Sequence, residues 1–229
     1  MKRVVVFTGA GVSAESGIST FRDSGGLWEQ YKIEDVATPQ AWLADFELVL
    51  DFYNQRRKQV LLAQPNAAHL SIPLLHEKFE VNVITQNIDD LHERAGSENV
   101  LHLHGEIRKS RSTIDPQLIY NIDGWELKKG DRCEKGSQLR PHIVWFGEMV
   151  PAMDEAIQIT AKADIMIVIG TSLEVYPAAN LVSYVPDYCE TYLIDPNAKI
   201  PAHSSGIRII NDKAGNAVPA LVKKLLENE

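Results

Sequence analysis

A doubly wound parallel α/β sheet is the fold this sequence predicts, and three observations predict it. Short apolar, β-branched runs recur at wide intervals: Val4–Phe7, Val81–Ile84, Ile165–Ile169, Thr191–Ile194 and Ile207–Ile210. They do not alternate cleanly with polar residues, as expected of strands covered on both faces. Helical patterns lie between several of them, which implies parallel pairing through right-handed crossovers. The first run also leads straight into a glycine turn, Thr8-Gly9-Ala10-Gly11.

Taken in order, the first strand, Val4–Phe7, is followed by the longest helical pattern, from about Thr38 to Leu62. Asn66 to Phe79 reads as another helix, with Asn66 as N-cap and a kink at Pro73. After the strand at Val81–Ile84, the run Val100-Leu101-His102-Leu103-His104 alternates as an edge strand would. Glu106 to Arg140 is rich in Lys, Arg, Ser, Asp and Gly, with one short apolar stretch at Leu118–Ile122. That segment reads equally as a small inserted lobe or as a long disordered loop. Pro151 to Lys162 and Asn216 to Leu226 read as the remaining helices. No internal repeat or low-complexity tract is evident.

The composition narrows the function. The chain has 229 residues, 45% hydrophobic and 24% charged, enough to bury a core without staples. A formal charge of −8 gives no basic field for nucleic acid or an anionic membrane. Cys133 and Cys189 are too few for a disulfide framework or a four-cysteine zinc site. The apolar run after Lys2-Arg3 is shorter than a signal-peptide core of about 7–15 residues. No run approaches the ~18 apolar residues of a membrane helix. The expectation is a soluble, cytoplasmic enzyme or small-molecule binder, monomeric by default at this size.

The glycine turn matches a dinucleotide fingerprint only in part. Gly9 and Gly11 would let the backbone approach a pyrophosphate. Ala14, however, stands where the third glycine belongs, and no acidic residue follows a second strand about 20 positions on. The chain instead reads Ser19-Thr20-Phe21-Arg22-Asp23, with an arginine suited to phosphate. Taken alone, the turn fits an ordinary strand–helix connection just as well. Three further strand ends support a ligand: Gln86-Asn87-Ile88-Asp89, Gly170-Thr171-Ser172 and Asp195-Pro196-Asn197. Ligands of open parallel sheets sit outside the carboxyl ends of the strands, and four polar ends together suit a nucleotide.

Most of the seven histidines need no special role. His76 and His92 fall on helix surfaces, His203 in a Pro/Ser loop, and His69 reads as a packed, hydrogen-bonded helix residue. His104 ends its strand at the polar edge, where a neutral imidazole suits proton abstraction. The pattern leaves three roles open for it: general base, metal ligand with His102, or structural residue.

Together the motifs Gly9–Ile18 continuing to Phe21-Arg22-Asp23, Gln86-Asn87-Ile88-Asp89, His104-Gly105, Phe146-Gly147-Glu148 and Gly170-Thr171-Ser172 resemble the sirtuins, NAD-dependent protein lysine deacylases. The resemblance runs from Val4 to about Leu226. It implies a Rossmann-like NAD-binding domain of residues 1–105 and 141–229 and a small inserted lobe of residues 106–140. It also implies that Gly9, Ala10, Gly11, Glu15 and Arg22 cradle the pyrophosphate side of NAD and that Phe21 screens the reacting ribose carbon. Gln86 would meet the nicotinamide-side ribose, and Asn87, Ile88 and Asp89 the nicotinamide. His104 would be general base on a ribose hydroxyl, with lysine and O-acyl-ADP-ribose as products. Gly170, Thr171 and Ser172 would hold the adenosine side, Asp195 or Asn197 the adenine ribose, and Ala214 the adenine. An acylated lysine peptide would add as a strand between Gly147-Glu148 and Leu173–Val175, beside Val144 and Phe146.

The sequence departs from many sirtuins in two places. Where two cysteine pairs hold zinc, this chain has Ser112 and Asp115, then Cys133 and Gly136, so no zinc is expected. The lobe would close instead through Leu118, Ile119, Tyr120, Ile122 and Trp125. On the long helix, Trp42, Phe46, Val49, Tyr53, Arg56 and Val60 form one stripe. An arginine in an apolar stripe needs an anionic partner, either an internal Asp or Glu or a bound ligand. Tyr53 and Arg56 also resemble the Tyr-x-x-Arg signature of the sirtuin branch that removes succinyl and malonyl groups. Two other functions remain open from sequence: a mono-ADP-ribosyltransferase and a non-catalytic NAD-binding module.

Overall fold

The computed structural model describes residues 1–18, 31–171, 173, 175–198 and 206–228. In chain order the strands are β1 (Lys2–Thr8), β2 (Phe79–Thr85), β3 (Val100–His102), β4 (Gly105–Ser112), β5 (Ile119–Asn121), β6 (Leu139–Ile143), β7 (Ile165–Ile169), β8 (Glu190–Ile194) and β9 (Ile207–Ile210). Six of them form one sheet in the order β3-β2-β1-β7-β8-β9, paired parallel throughout. The other three form a small antiparallel sheet, β5-β4-β6.

Both faces of the large sheet are covered, which is why its strands read as unbroken apolar runs. Val4, Val6, Val81, Val83, Ile165 and Ile167 pack on one face against Ala68, Ile72, Leu75, Val218 and Leu221. Their neighbours Val5, Phe7, Ile84, Met166 and Val168 pack on the other against Ala156, Ala178 and Leu181. Each fully buried aliphatic or aromatic side chain of this kind contributes about 1.5–3 kcal/mol.

The helices follow the sequence with corrections. They are α1 (Gly11–Ala14), α2 (Ile33–Val36), α3 (Pro39–Ala44), α4 (Phe46–Leu62), α5 (Ala67–Ser71), α6 (Leu91–Arg94), α7 (Met153–Thr160) and α8 (Ala214–Glu227). The single helix expected from Thr38 to Leu62 is two. Asp45 leaves helical geometry at φ −151°, ψ 82°, and its carboxylate accepts the Leu48 N–H as the N-cap of α4. The segment from Asn66 is likewise not one kinked helix. Asn66 caps α5 in a box closed by His69, and from Ile72 to Glu77 the chain tightens into a 3₁₀ turn around Pro73.

Residues 106–140 are an ordered, sheet-containing segment. Ile122, Leu127, Cys133 and Leu139 are buried against Leu50 of α4, with Trp42, Phe46, Leu118 and Tyr120 packed around them. Two expected core residues lie outside: Ile119 is 44% exposed and Trp125 36% exposed. Trp125 instead receives the Lys58 ammonium 3.4 Å from its ring centroid. Helix α4 grips the lobe through polar groups as well. Asn54 exchanges two hydrogen bonds with the Leu127 backbone, and the fully buried Arg57 donates to the carbonyls of Ile107 and Trp125.

His92 is not a surface residue. It is 1% exposed, its ring centroid 4.9 Å from that of His69, which is also buried. Burial pushes His69 down to about 4 and His92 well below 6.5. The unfolded chain takes up protons on both below about pH 6.5 while the folded chain does not, so their contribution to stability is present above that pH and lost as it falls. For His69 the loss by pH 4 is on the order of 3 kcal/mol. Urea unfolding at pH 7 and pH 4.5 should show wild type losing stability and His69→Gln losing distinctly less. Parallel losses in the two proteins would contradict this.

Candidate functional site

The carboxyl ends of β1 and β7 meet backbone to backbone. The Gly9 N–H donates to the Ile169 carbonyl at 3.0 Å and the Gly11 N–H to the Gly170 carbonyl at 2.8 Å. A Cβ on Gly9 would come within 2.7 Å of Thr171, and one on Gly11 within 2.7 Å of Gly170. Gly170, at φ +60°, would meet the Val12 nitrogen at 2.4 Å. These glycines are therefore required by the contact between two strand ends, whatever ligand lies beyond them. Gln86 joins the same rim by donating to Thr171 Oγ1.

A polar pocket sits beside that contact. Asn87 Nδ2 donates to the Gly9 carbonyl and to Ser13 Oγ, each at 3.1 Å, and Ser13 Oγ donates to Asp89 at 3.0 Å. All three side chains are buried, and burial holds the Asp89 carboxyl above its usual range. Ser13, which the sequence reading left out of the site, is the hub between Asn87 and Asp89. Its place in the Gly9–Ile18 motif was the available signal. Asn87 Oδ1 has no partner among the described residues, so this set offers an amide acceptor beside a carboxyl group. A carboxamide fits those donors and acceptors.

Both histidines after β2 brace this loop. His104 Nδ1 lies 3.0 Å from the Gln86 carbonyl and His102 Nδ1 lies 2.8 Å from the Asn87 carbonyl. A carbonyl only accepts, so each Nδ1 carries the proton. His104 Nε2 then remains the basic nitrogen. Burial outweighs the Gln86 bond and lowers the His104 pKa. His102 Nε2 is 2.7 Å from Glu93. Burial opposes its charge, but the hydrogen bond and charge of Glu93 prevail and its pKa rises. His102 is thus committed to the loop and to Glu93, not poised with His104 as a metal pair.

Tyr53 and Arg56 lie one turn apart on α4. Tyr53 accepts a 3.1 Å hydrogen bond from Trp145 Nε1, and burial pushes its pKa up to about 12 despite the nearby Arg56 charge. Arg56 is within electrostatic reach of both Tyr53 and Asp89. Glu148 turns its carboxylate inward, where it takes a bidentate fork from Arg140 at 2.8 and 3.0 Å and bonds from Arg111.

The remaining candidates occupy the same rim or its surroundings. Glu15 accepts the Gly215 N–H at the start of α8, next to buried Ala214. Asp195 closes a turn on the Asn197 N–H after β8. The Val144 N–H donates to the His104 carbonyl and the Phe146 N–H to the Ala37 carbonyl. Gly147 has φ +90° and Leu173 φ +55°, and Phe146 and Val175 reach solvent. Ile88 packs against the cluster around Tyr53. Phe21, Arg22, Ser172 and His203 lie outside the described residues.

The positions that would carry zinc are wired together by hydrogen bonds. Ser112 Oγ accepts the N–H groups of Ile114 and Asp115 and lies 3.4 Å from Cys133 Sγ, which is 3.3 Å from Ser137 Oγ. Asp115 pairs with Lys135. One thiol with hydroxyl neighbours does not fit a structural zinc ion, and among the described residues no group of three His, Cys, Asp or Glu side chains could hold a metal.

A parallel sheet with a buried Asn87–Ser13–Asp89 cluster and an imidazole at its carboxyl rim has the form of a nucleotide-binding α/β protein. Residues 9–177 match the Sir2 family, and the chain belongs to it. It is 51% identical to an NAD-dependent protein deacylase of Bacteroides thetaiotaomicron, with 99% of each chain covered. It is 50% identical to one of Helicobacter pylori, again over 99% of each. A Sir2 homologue solved with NAD superimposes with a TM-score of 0.90 at 41% identity, covering 99% of this chain and 90% of that one. A Sir2 homologue mutant solved with ADP-ribose gives the same TM-score and identity, covering 100% and 94%.

Two outcomes are expected. Because the His104 pKa is lowered, its base form persists into acid, so the acid limb of kcat/KM should fall with a midpoint below pH 6.5 and disappear with the activity in His104→Ala. A midpoint above 6.5 would contradict that environment. Elemental analysis of purified protein should find zinc far below one ion per chain, with thermal stability unchanged by chelator; stoichiometric zinc would overturn the account of the lobe.

Proposed function

We infer that this chain, an NAD-dependent protein deacylase, prefers acyl groups that end in a carboxylate, succinyl and malonyl ahead of acetyl. The observation that carries the preference is the placement of Arg56: on the face of α4 shared with Tyr53 and within reach of Asp89 in the carboxamide pocket. A carboxylate at the end of an acyl group placed there is an acceptor that this guanidinium can bind bidentately.

NAD supplies, when bound, the glycosidic bond that is cut and the ADP-ribose that accepts the acyl group. In this reading Asn87, Asp89 and Ser13 orient the carboxamide, and Gln86 lies along the adjacent ribose. His104, its tautomer set by the Gln86 carbonyl, takes a ribose hydroxyl proton at Nε2. Gly170 and Thr171 would face the adenosine side, with Asp195, Asn197 and Ala214 further along the rim. The acyl-lysine peptide would lie between the 147–148 and 173–175 segments, and residues 106–140 would act as a lobe inserted into the cofactor domain.

A panel of acetyl-, malonyl- and succinyl-lysine peptides with NAD, read by mass spectrometry, tests this. Arg56→Met should cut succinyl kcat/KM by about 10–100-fold, the worth of a charged hydrogen-bond pair. Acetyl turnover should change by no more than about threefold. Equal losses on both substrates would remove the acidic-acyl assignment, while label from NAD accumulating on protein would point to ADP-ribosyl transfer instead.

A further inference from the structure

We propose that Trp145 is a specificity-determining positioning residue: its indole N–H occupies the Tyr53 oxygen and thereby directs the phenol's own proton at the acyl tail. The proposal rests on the acidic-acyl reading above and adds to it a buried residue that acts through Tyr53. An indole nitrogen can only donate. Tyr53 Oη must therefore accept the 3.1 Å bond from Trp145 Nε1, and Tyr53 makes no other hydrogen bond among the described residues. Its hydroxyl proton is left to donate elsewhere, on the helix face it shares with Arg56. A carboxylate is an acceptor only, so a phenol held in this sense beside a guanidinium presents two donors to it. With the indole N–H removed, the same phenol could rotate and offer its lone pairs, which repel a carboxylate.

Trp145 is fixed strongly enough for this task. It is 2% exposed. Its backbone N–H donates to Glu148 Oε2 at 2.8 Å, and the Arg140 guanidinium lies 3.3 Å from its ring centroid. Arg140 in turn forks onto Glu148 and donates to the Ile143 carbonyl. Arg111 completes the cluster on Glu148. Arg140 and Glu148 both lie within electrostatic reach of Tyr53, with opposite signs, so the cluster holds the indole in place beside the phenol.

Trp145→Phe keeps the ring and deletes the N–H. On succinyl-lysine peptide it should raise KM and lower kcat/KM by about tenfold, with acetyl-lysine turnover held within about twofold. Tyr53→Phe should show the same selectivity, and the double variant should be no worse than Tyr53→Phe alone, because the two side chains act as one unit. Equal losses on both peptides, or additive losses in the double variant, would overturn the role of Trp145. If wild type shows no preference for succinyl over acetyl, the acidic-acyl reading fails and this inference with it. If wild type and Arg56→Met behave as expected but Trp145→Phe leaves the succinyl-to-acetyl ratio unchanged, this inference alone fails. Should Trp145→Phe not fold, Tyr53→Phe labelled with ¹⁵N-tryptophan serves. Among the four tryptophans, the Trp145 indole resonance should move toward the position of a free N–H. An unmoved resonance would overturn the proposal.

Discussion

Everything at the site depends on one backbone contact, that between the carboxyl ends of β1 and β7. The chain lays down β1, β2 and β3 outward in one direction, then returns to place β7, β8 and β9 on the other side of β1. The connections leaving β1 and β7 therefore diverge, and a crevice opens where the order reverses. Gly9, Gly11 and Gly170 let the two turns approach until their backbones bond directly, at separations that no Cβ would permit. The Asn87–Ser13–Asp89 cluster is anchored to that contact through the bond from Asn87 Nδ2 to the Gly9 carbonyl. A shift of β7 relative to β1 would displace Gly9, and with it Asn87, Ser13 and Asp89.

The polar loop after β2 shows how the second half of the site is kept rigid without being buried in apolar contacts. Its two successive carbonyls, Gln86 and Asn87, are each held by an imidazole from the next strand end, and the Asn87 N–H is taken by Thr85 Oγ1. Thr85 is tied through Thr8 to His92. Both imidazoles thus come from one His-x-His repeat, and their different environments follow from their second partners. His102 meets Glu93 and its pKa rises, whereas His104 meets no acid among the described residues and burial lowers its pKa.

Much of this was legible in the sequence, because it is written in local pattern. The five apolar runs became strands of the large sheet, and the polar residues after them did gather at its carboxyl edge. What could not be read depended on partners distant in sequence. Asp45 breaks the long helix because its carboxylate finds the Leu48 N–H, a choice hidden inside an unbroken helical pattern. His92 looked like a surface residue because four residues of helix give too little periodicity to tell inside from outside. Hydrophobicity puts Ile119 and Trp125 in the lobe core, but Ile119 falls on the outward side of β5, alternating with half-buried Tyr120, and Trp125 turns its indole face to the Lys58 ammonium at the surface. Trp145 was visible only as an aromatic among apolar neighbours, since the phenol it bonds is 92 residues away.

Helix α4 links the 106–140 segment to the Tyr53–Arg56 face. Its successive residues differ in role: Asn54 and Arg57 hold the lobe backbone, while Tyr53 bonds Trp145 and Arg56 lies one turn further on. Arg57 has no carboxylate partner in its hydrogen bonds, and burial together with neighbouring Arg108 lowers it to about 10. A fully buried cation whose Nε and Nη1 bond carbonyls and an amide while Nη2 is left without a partner among the described residues is costly to desolvate, so it adds little net stability, but it tolerates few alternative arrangements of the groups around it. The bonds from Arg57 to Ile107 and Trp125 therefore fix the rotation of α4 about its own axis relative to the lobe. That rotation is the same coordinate that sets where Tyr53 and Arg56 sit, so the lobe's seating and the placement of those two side chains are specified by adjacent residues of one helix.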